Sequence, residues 1–227
     1  MQPEPATARR RPNSRRTKTR LGLHGMGKSQ HLELIAQGVA VWNDWRRANP
    51  SATPDLSRAN LSNTDLSRAN FREANLNKTD LQCANLTNAD LTGAHLRQAN
   101  FREADLTNAI LRNAHVTGAY LGKTNFTDAI LTGANFNQAN LYKAFFKRAD
   151  LRGVNFSRTD LTKTVFESSD LTDADLTSAV LVSTRFEESN LTGCHIYGIS
   201  AWDVTLARTN QSNLVITEKE KRGQAQL

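Results

Sequence analysis

From Leu56 to Ile196 every fifth residue is apolar. Of these 29 positions 19 are Leu and 8 are Phe, and Val116 and Ile196 fill the other two. Two places before each, from Ala59 to Cys194, 27 of 28 residues are Ala, Thr, Ser or Cys, with Val154 the exception. A fixed short period over most of a chain is the signature of a repeat architecture. Five residues suit neither common element. On an α-helix five steps rotate a side chain by roughly 140°, so no apolar face forms. In a flat strand an odd period sends successive Leu to opposite faces. The chain can point every fifth residue inward only by turning once per repeat, with one large and one small side chain inside.

The number of repeats per turn is also written in the pattern. Phe126, Phe146, Phe166 and Phe186 recur at twenty residues, as do Ile110 and Ile130, Phe145 and Val165, His95 and His115, and Lys123, Lys143 and Lys163. Spacing by ten is as common for these Phe, which a four-sided coil also allows as opposite walls. Twenty residues per coil gives about seven coils over 55–198, a rod of roughly 35 Å at the ~4.8 Å spacing of adjacent strands.

Before the repeats the spacing changes. Leu32, Ile35, Val39, Trp42 and Trp45 follow steps of three and four, one face of an amphipathic helix over 31–50 that Pro50 and Pro54 stop. A repeat stack exposes core and unpaired backbone at its first coil, so the helix is expected to cap it; a partner-binding helix anchored by the Trp pair is the competing reading. Residues 1–30 form a basic tail with too few apolar groups to offset ordering, expected to be disordered. Its Arg-rich stretch fits an organelle-targeting leader. Ser14-Arg15-Arg16 fits a twin-arginine signal, although the following apolar stretch is too short. The third reading, adopted here, is that Met26 is the initiator, because the patterned region begins just after it.

At the other end Ala201 and Gln211 stand where Leu is expected, while Trp202, Val204 and Leu206 alternate as in a strand. Residues 199–217 are read as a closing cap containing Trp202 and offering a homodimer surface, with 218–227 a frayed tail.

The phrase Ala59-Asn60-Leu61-Ser62-Asn63, repeated as Ala89-Asp90-Leu91-Thr92-Gly93, resembles the pentapeptide repeat family. The resemblance implies an all-β fold, a right-handed quadrilateral β-helix with β-turns at its corners, here with a short N-terminal α-helical cap. Family members add helical caps and dimerise through a terminal coil. Quinolone-resistance members resemble B-form DNA and bind topoisomerases. The run from Ile196 also resembles the boundary at which some bacterial members pass into a signalling-type domain; this implies that such a domain is missing here.

Charge narrows what the rod can do. The chain carries +7 overall, but residues 1–54 alone balance at +7 and residues 55–215 hold 16 basic and 17 acidic groups. DNA mimicry needs a strongly acidic rod, because its partner is built for phosphates; a body near −1 argues against gyrase inhibition. Nucleic-acid binding through the basic tail and the lysine ladder is the other alternative. No apolar run approaches the ~20 residues that span a membrane. Cys83 and Cys194 fall on distant repeats, beyond the ~7 Å limit for a disulfide, which fits a reducing, cytoplasmic compartment.

Before the large apolar residue 19 of 29 positions are Asp or Asn, side chains that bond local backbone in turns and are therefore scaffolding. The exceptions are His95, Ile110, His115, Tyr120, Ile130, Phe145, Val165, Val180, Arg185 and His195. The candidate interaction surface consists of Ile110, Ile130, Phe145, Val165 and Tyr120 with Lys123, Lys143 and Lys163 beside Arg102 and Tyr142. Two stacked imidazoles without a third ligand make a poor metal site. The GKS at Gly27 to Ser29 lacks the first glycine of a phosphate loop and a preceding strand. No catalytic constellation is present, and no cofactor or metal is expected. The reading is a non-enzymatic protein–protein interaction scaffold with an unknown protein partner.

Overall fold

The computed structural model describes residues 28–216, so the basic tail up to residue 27, including Met26, and the tail from residue 217 lie outside the described residues. Each repeat contributes one bridge residue, one inward apolar residue and a two-residue corner. Bridge residues pair in parallel with the residue twenty positions on, as in Asp55 with Asn75, Asn60 with Asp80, Asp65 with Asn85 and Asn70 with Asp90. These four begin four rows of bridges that run the length of the coil; each is named below by its first member. The bonds follow one rule. Asn75 N donates to Pro54 O (2.8 Å), and Leu56 N donates to Asn75 O (2.8 Å). Only where the pairing lengthens are strands formed, β1 (Val180–Val182) and β2 (Ser200–Trp202), which pair in parallel.

Corners take a tight turn. Ala59 N donates to Leu56 O (3.1 Å), and Arg58 between them has φ 58°, the left-handed third residue of a type II turn. The same position is left-handed in repeat after repeat, held by Asn, Lys, Arg, Glu and Asp as well as by Gly93, Gly118, Gly133, Gly153, Gly193 and Gly198. A non-glycine residue there costs about 1–2 kcal/mol. Bridge Asp and Asn side chains offset part of that cost by fixing the corner: Asp55 Oδ1 accepts from Ser57 N at 2.8 Å, and Asn85 Nδ2 donates to Asp65 Oδ1 of the coil below at 3.0 Å.

The core fills the coil. The fifth-position residues from Leu56 to Leu191 are buried, with the small residues between them except the half-buried Thr64. Phe126, Phe146, Phe166 and Phe186 stack as near-parallel rings with centroids 4.7, 5.0 and 5.0 Å apart. Where the small position is Thr, its hydroxyl is satisfied inside: Thr79 Oγ1 donates to Leu56 O at 2.9 Å and Thr164 Oγ1 to Leu141 O at 2.8 Å.

Two helices stand where one was expected. α1 covers Lys28–Ala36, beginning inside the expected tail, and α2 covers Val39–Ala48. The break falls at Gly38, whose φ of 105° no helix accommodates. Ile35 and Trp42 are buried, whereas Leu32, Val39 and Trp45 are partly buried against the core. The helices also bond the backbone of the first coil, where Asn70 and Arg72 have no earlier coil to meet. Trp42 Nε1 donates to Asn70 O (2.8 Å), Asn43 Nδ2 to Arg68 O (2.9 Å) and Arg46 Nη2 to Arg72 O (2.8 Å), while Asn43 Oδ1 accepts from Asn70 N (2.9 Å).

At the other end the five-residue register does not fail. Thr205, Asn210 and Val215 bridge Arg185, Asn190 and His195, so residues 199–216 continue the coil rather than form a separate element. Backbone pairing holds the register there even though the side chains no longer obey the inward rule. What changes is burial: Trp202 is 76% exposed and Ile216 69%.

Candidate interaction surface

Register assigns the off-pattern residues to particular rows. Tyr120 belongs to the Asn60 row, Phe145 and Val165 to the Asp65 row, and Ile110 and Ile130 to the Asn70 row. The corner between the Asn60 and Asp65 rows carries, coil after coil, Arg102-Glu103, Gly122-Lys123, Tyr142-Lys143 and Thr162-Lys163. Successive corners are tied by backbone bonds, Glu103 N to Gly122 O (3.0 Å), Lys123 N to Tyr142 O (2.9 Å) and Lys143 N to Thr162 O (3.0 Å). The coil therefore brings Tyr120, the three lysines, Phe145 and Val165 onto one surface that wraps this corner, with a row on either side of it. Ile110 and Ile130 lie around the next corner, half-buried and flanked in their row by Asp90 and Asp150.

Tyr120 and Phe145 are about half exposed, at 49% and 47%. The Arg102 guanidinium lies 5.4 Å from the centre of the Tyr120 ring, and Lys143 Nζ 5.2 Å from that of Tyr142. The lysine ladder is not uniformly free. Lys123 Nζ donates to Glu103 Oε1 at 2.6 Å, an ion pair that raises Lys123 and lowers Glu103 from their ordinary pKa values. Glu103 stands twenty residues before Lys123, so the same spacing that marks the lysines also marks this pair. Lys143 and Lys163 make no ion pair among the described residues.

The remaining candidates separate. His95 and His115 are exposed and stacked, centroids 5.0 Å apart and planes 15° from parallel. Among the described residues no group of three His, Cys, Asp or Glu could hold a metal. Cys83 is exposed, while Cys194 is buried and bonds Leu171 O, its thiol pushed up to about 12 by burial. Trp202 lies on the last coil, far along the rod from Trp42. A polar groove of about 410 Å³ between Asn137 and Tyr197 lies on a different corner. No helix among the described residues is long and apolar enough to cross a membrane.

A parallel coil with this bonding rule and paired large and small residues inside is a β-helical repeat solenoid. Family models for pentapeptide repeats match residues 55–93 and 89–128, and one for a pentapeptide repeat region matches 119–196. The chain belongs to the pentapeptide repeat family. No curated protein matches it. Among solved structures it is similar to HetL, a pentapeptide repeat protein involved in heterocyst differentiation regulation in Nostoc, at 26% identity over 71% of this chain and 86% of HetL, TM-score 0.49. It is also similar to Rfr23 of Cyanothece, at 25% identity over 77% and 97% of the two chains, TM-score 0.26. QnrB1, a plasmid-mediated fluoroquinolone resistance protein, matches at 16% identity over 72% and 89%, TM-score 0.32.

Proposed function

We propose that the chain is a non-enzymatic scaffold for protein–protein interaction. In this reading the repeats form a right-handed, four-sided rod closed at its first coil by α1 and α2, which holds side chains on a fixed lattice for a partner. The carrying observation is the face of Tyr120, Lys143, Lys163, Phe145 and Val165. Two half-exposed aromatic rings stand there beside free lysines at positions that the fold elsewhere fills with Asp or Asn. Exposed aromatic groups of this kind anchor protein interfaces. Affinity purification of the full chain against its Tyr120→Asn/Phe145→Asn/Val165→Asn variant is the test. The variant is expected to keep its unfolding midpoint and lose a specific partner; an unchanged set of partners overturns the reading.

The DNA-mimic alternative has less support. Cations stand among the carboxylates on the described faces, as at Arg148 with Asp128 and Lys147 with Glu167. Inhibition of gyrase supercoiling by the purified chain would reverse this order.

Self-association through the last coil is part of the same proposal. Trp202, Leu206 and Ile216 are exposed there, and Ile199, Val204 and Leu214 are partly buried against the core, on a coil whose outer edge is unpaired among the described residues. Sedimentation equilibrium should show a dimer that Trp202→Ser/Leu206→Ser converts to monomer. A wild-type chain that is monomeric at tens of micromolar removes this part.

A further inference from the structure

We infer that the face between the Asn60 and Asp65 rows receives an acidic, amphipathic segment of a protein, with carboxylates opposite Lys143 and Lys163 and apolar side chains over Tyr142, Phe145 and Val165. This deepens the scaffold reading and rests on it.

Three observations define the occupant. The first is the order of chemistry across the face. Tyr120 stands on one side, the cations run down the corner, and Phe145 with Val165 stand on the other side, bridged to each other. A ligand that satisfies all three strips carries acidic groups bordered by apolar ones.

The second is Gly122. Its backbone lies outside the left-handed region, and a Cβ built there would meet Tyr142 O only at 3.6 Å and Arg102 Cγ at 4.0 Å. Neither conformation nor packing requires a glycine. What the missing side chain provides is a notch between Arg102 and Tyr142, floored by backbone, in which a partner's side chain can seat.

The third is the distribution of carboxylates, which argues against a nucleic acid. Glu103, Asp105 and Asp160 stand among Arg102, Lys123, Lys143 and Lys163. Glu103 already holds Lys123, Asp105 accepts from Asn125 Nδ2 at 3.2 Å, and Asp160 accepts from Thr162 N at 3.0 Å. A continuous phosphate chain would run past all three, whereas a peptide can place its few carboxylates opposite the two free lysines. The pitch also fits. Neighbouring corners are ~4.8 Å apart and a helix rises about 5.4 Å per turn, so glutamates one turn apart meet successive lysines.

The experiment measures fluorescence anisotropy of three labelled probes with the full chain: a twenty-residue helical peptide with Glu on one stripe and Leu beside it, poly-glutamate, and single-stranded dT20. The amphipathic peptide is expected to bind best. Its affinity should fall at least about tenfold in Lys143→Glu/Lys163→Glu, and about tenfold in Gly122→Trp, which fills the notch, and in Phe145→Asn. Arg97→Glu/Arg158→Glu, the same change of charge on another corner, should leave it unchanged. Equal loss in that control, tighter binding of dT20 or poly-glutamate, or no binding of the peptide each overturns the inference. If the peptide fails but Tyr120→Asn/Phe145→Asn/Val165→Asn still loses its cellular partner, the scaffold reading stands and only the acidic, amphipathic occupant is wrong.

Discussion

Asp150 and Asp170 face each other across adjacent coils, the one described bridge at which two carboxylates meet. At many other bridges an Asp faces an Asn, which can donate, as Asn85 does to Asp65. Here Arg152 resolves the repulsion. Its guanidinium donates to both oxygens of Asp150 at 2.8 and 2.7 Å and lies 3.9 Å from Asp170. The hydrogen bonds from Arg152 outweigh partial burial and hold the Asp150 carboxyl down at about 2.

A pH dependence follows from that value. A carboxyl held below its unfolded value contributes stability that is present above about pH 4, and this is lost as pH falls through about 2. Arg152→Gln should therefore lower the urea midpoint at pH 7, with the deficit shrinking between about pH 4 and pH 2. A deficit of equal size at both ends would show that the pair acts through packing alone.

Corner conformation offers a cleaner measurement. Gly153 has φ +63° with nothing within 4 Å of an added Cβ, so Gly153→Ala isolates the backbone cost, expected at about 1–2 kcal/mol. Arg158 occupies the same corner position at φ 58°, and Arg158→Gly should stabilise by up to about 1 kcal/mol, the gain reduced by glycine's greater freedom when unfolded. Chemical denaturation of both variants checks the pair. Gly193→Ala should cost about as much as Gly153→Ala, because the Asp173 carboxylate its Cβ would meet is exposed and can swing aside.

In the core, Phe146 stacks between Phe126 and Phe166 and meets Phe156 edge-on at 6.0 Å. Phe146→Ala should cost about 3–5 kcal/mol, and Phe146→Leu much less, since Leu fills the inward position in most repeats. A double-mutant cycle with Phe166 should show coupling between the stacked neighbours, and one with Phe71, on a distant coil, should show additive effects. Coupling of equal size in both would mean that the coils do not act as nearest neighbours.

How much of this was legible in the sequence depends on whether the signal was local. Core positions were readable because one inward residue per repeat leaves no freedom of assignment, and Phe126 and Phe146 announced their stacking by their spacing. The break at Gly38 was not, since the apolar steps from Ile35 to Val39 continue a helical period across a glycine whose φ only the structure reveals. The C-terminal coil was misread from Ala201 and Gln211 because backbone pairing, to which side-chain pattern is blind, carries the register on. Glu103 and Gly122 were missed for another reason. Both occupy corner positions where nearly any residue is allowed, and their meaning lies in neighbours twenty residues away.

The contact between helices and coil carries its own acid sensitivity. His31 is buried, its Nδ1 accepts from Asp55 N at 3.3 Å, and its ring meets Trp45 edge-on at 5.1 Å. Burial lowers its pKa, helped by the nearby Arg46 cation and opposed by the Asp55 carboxylate. A histidine held below its unfolded value stabilises fully above about pH 6.5, and that contribution is lost as pH falls through the folded value. Protonation also turns Nδ1 from acceptor to donor, which removes the bond it accepts from Asp55 N. Acid should therefore loosen α1 and α2 from the first coil before the rod unfolds. Hydrogen exchange should rise over residues 28–50 between about pH 7 and pH 5 while residues 100–190 stay protected. His31→Leu should abolish that dependence, and an equal acid response in this variant would assign the effect to another group.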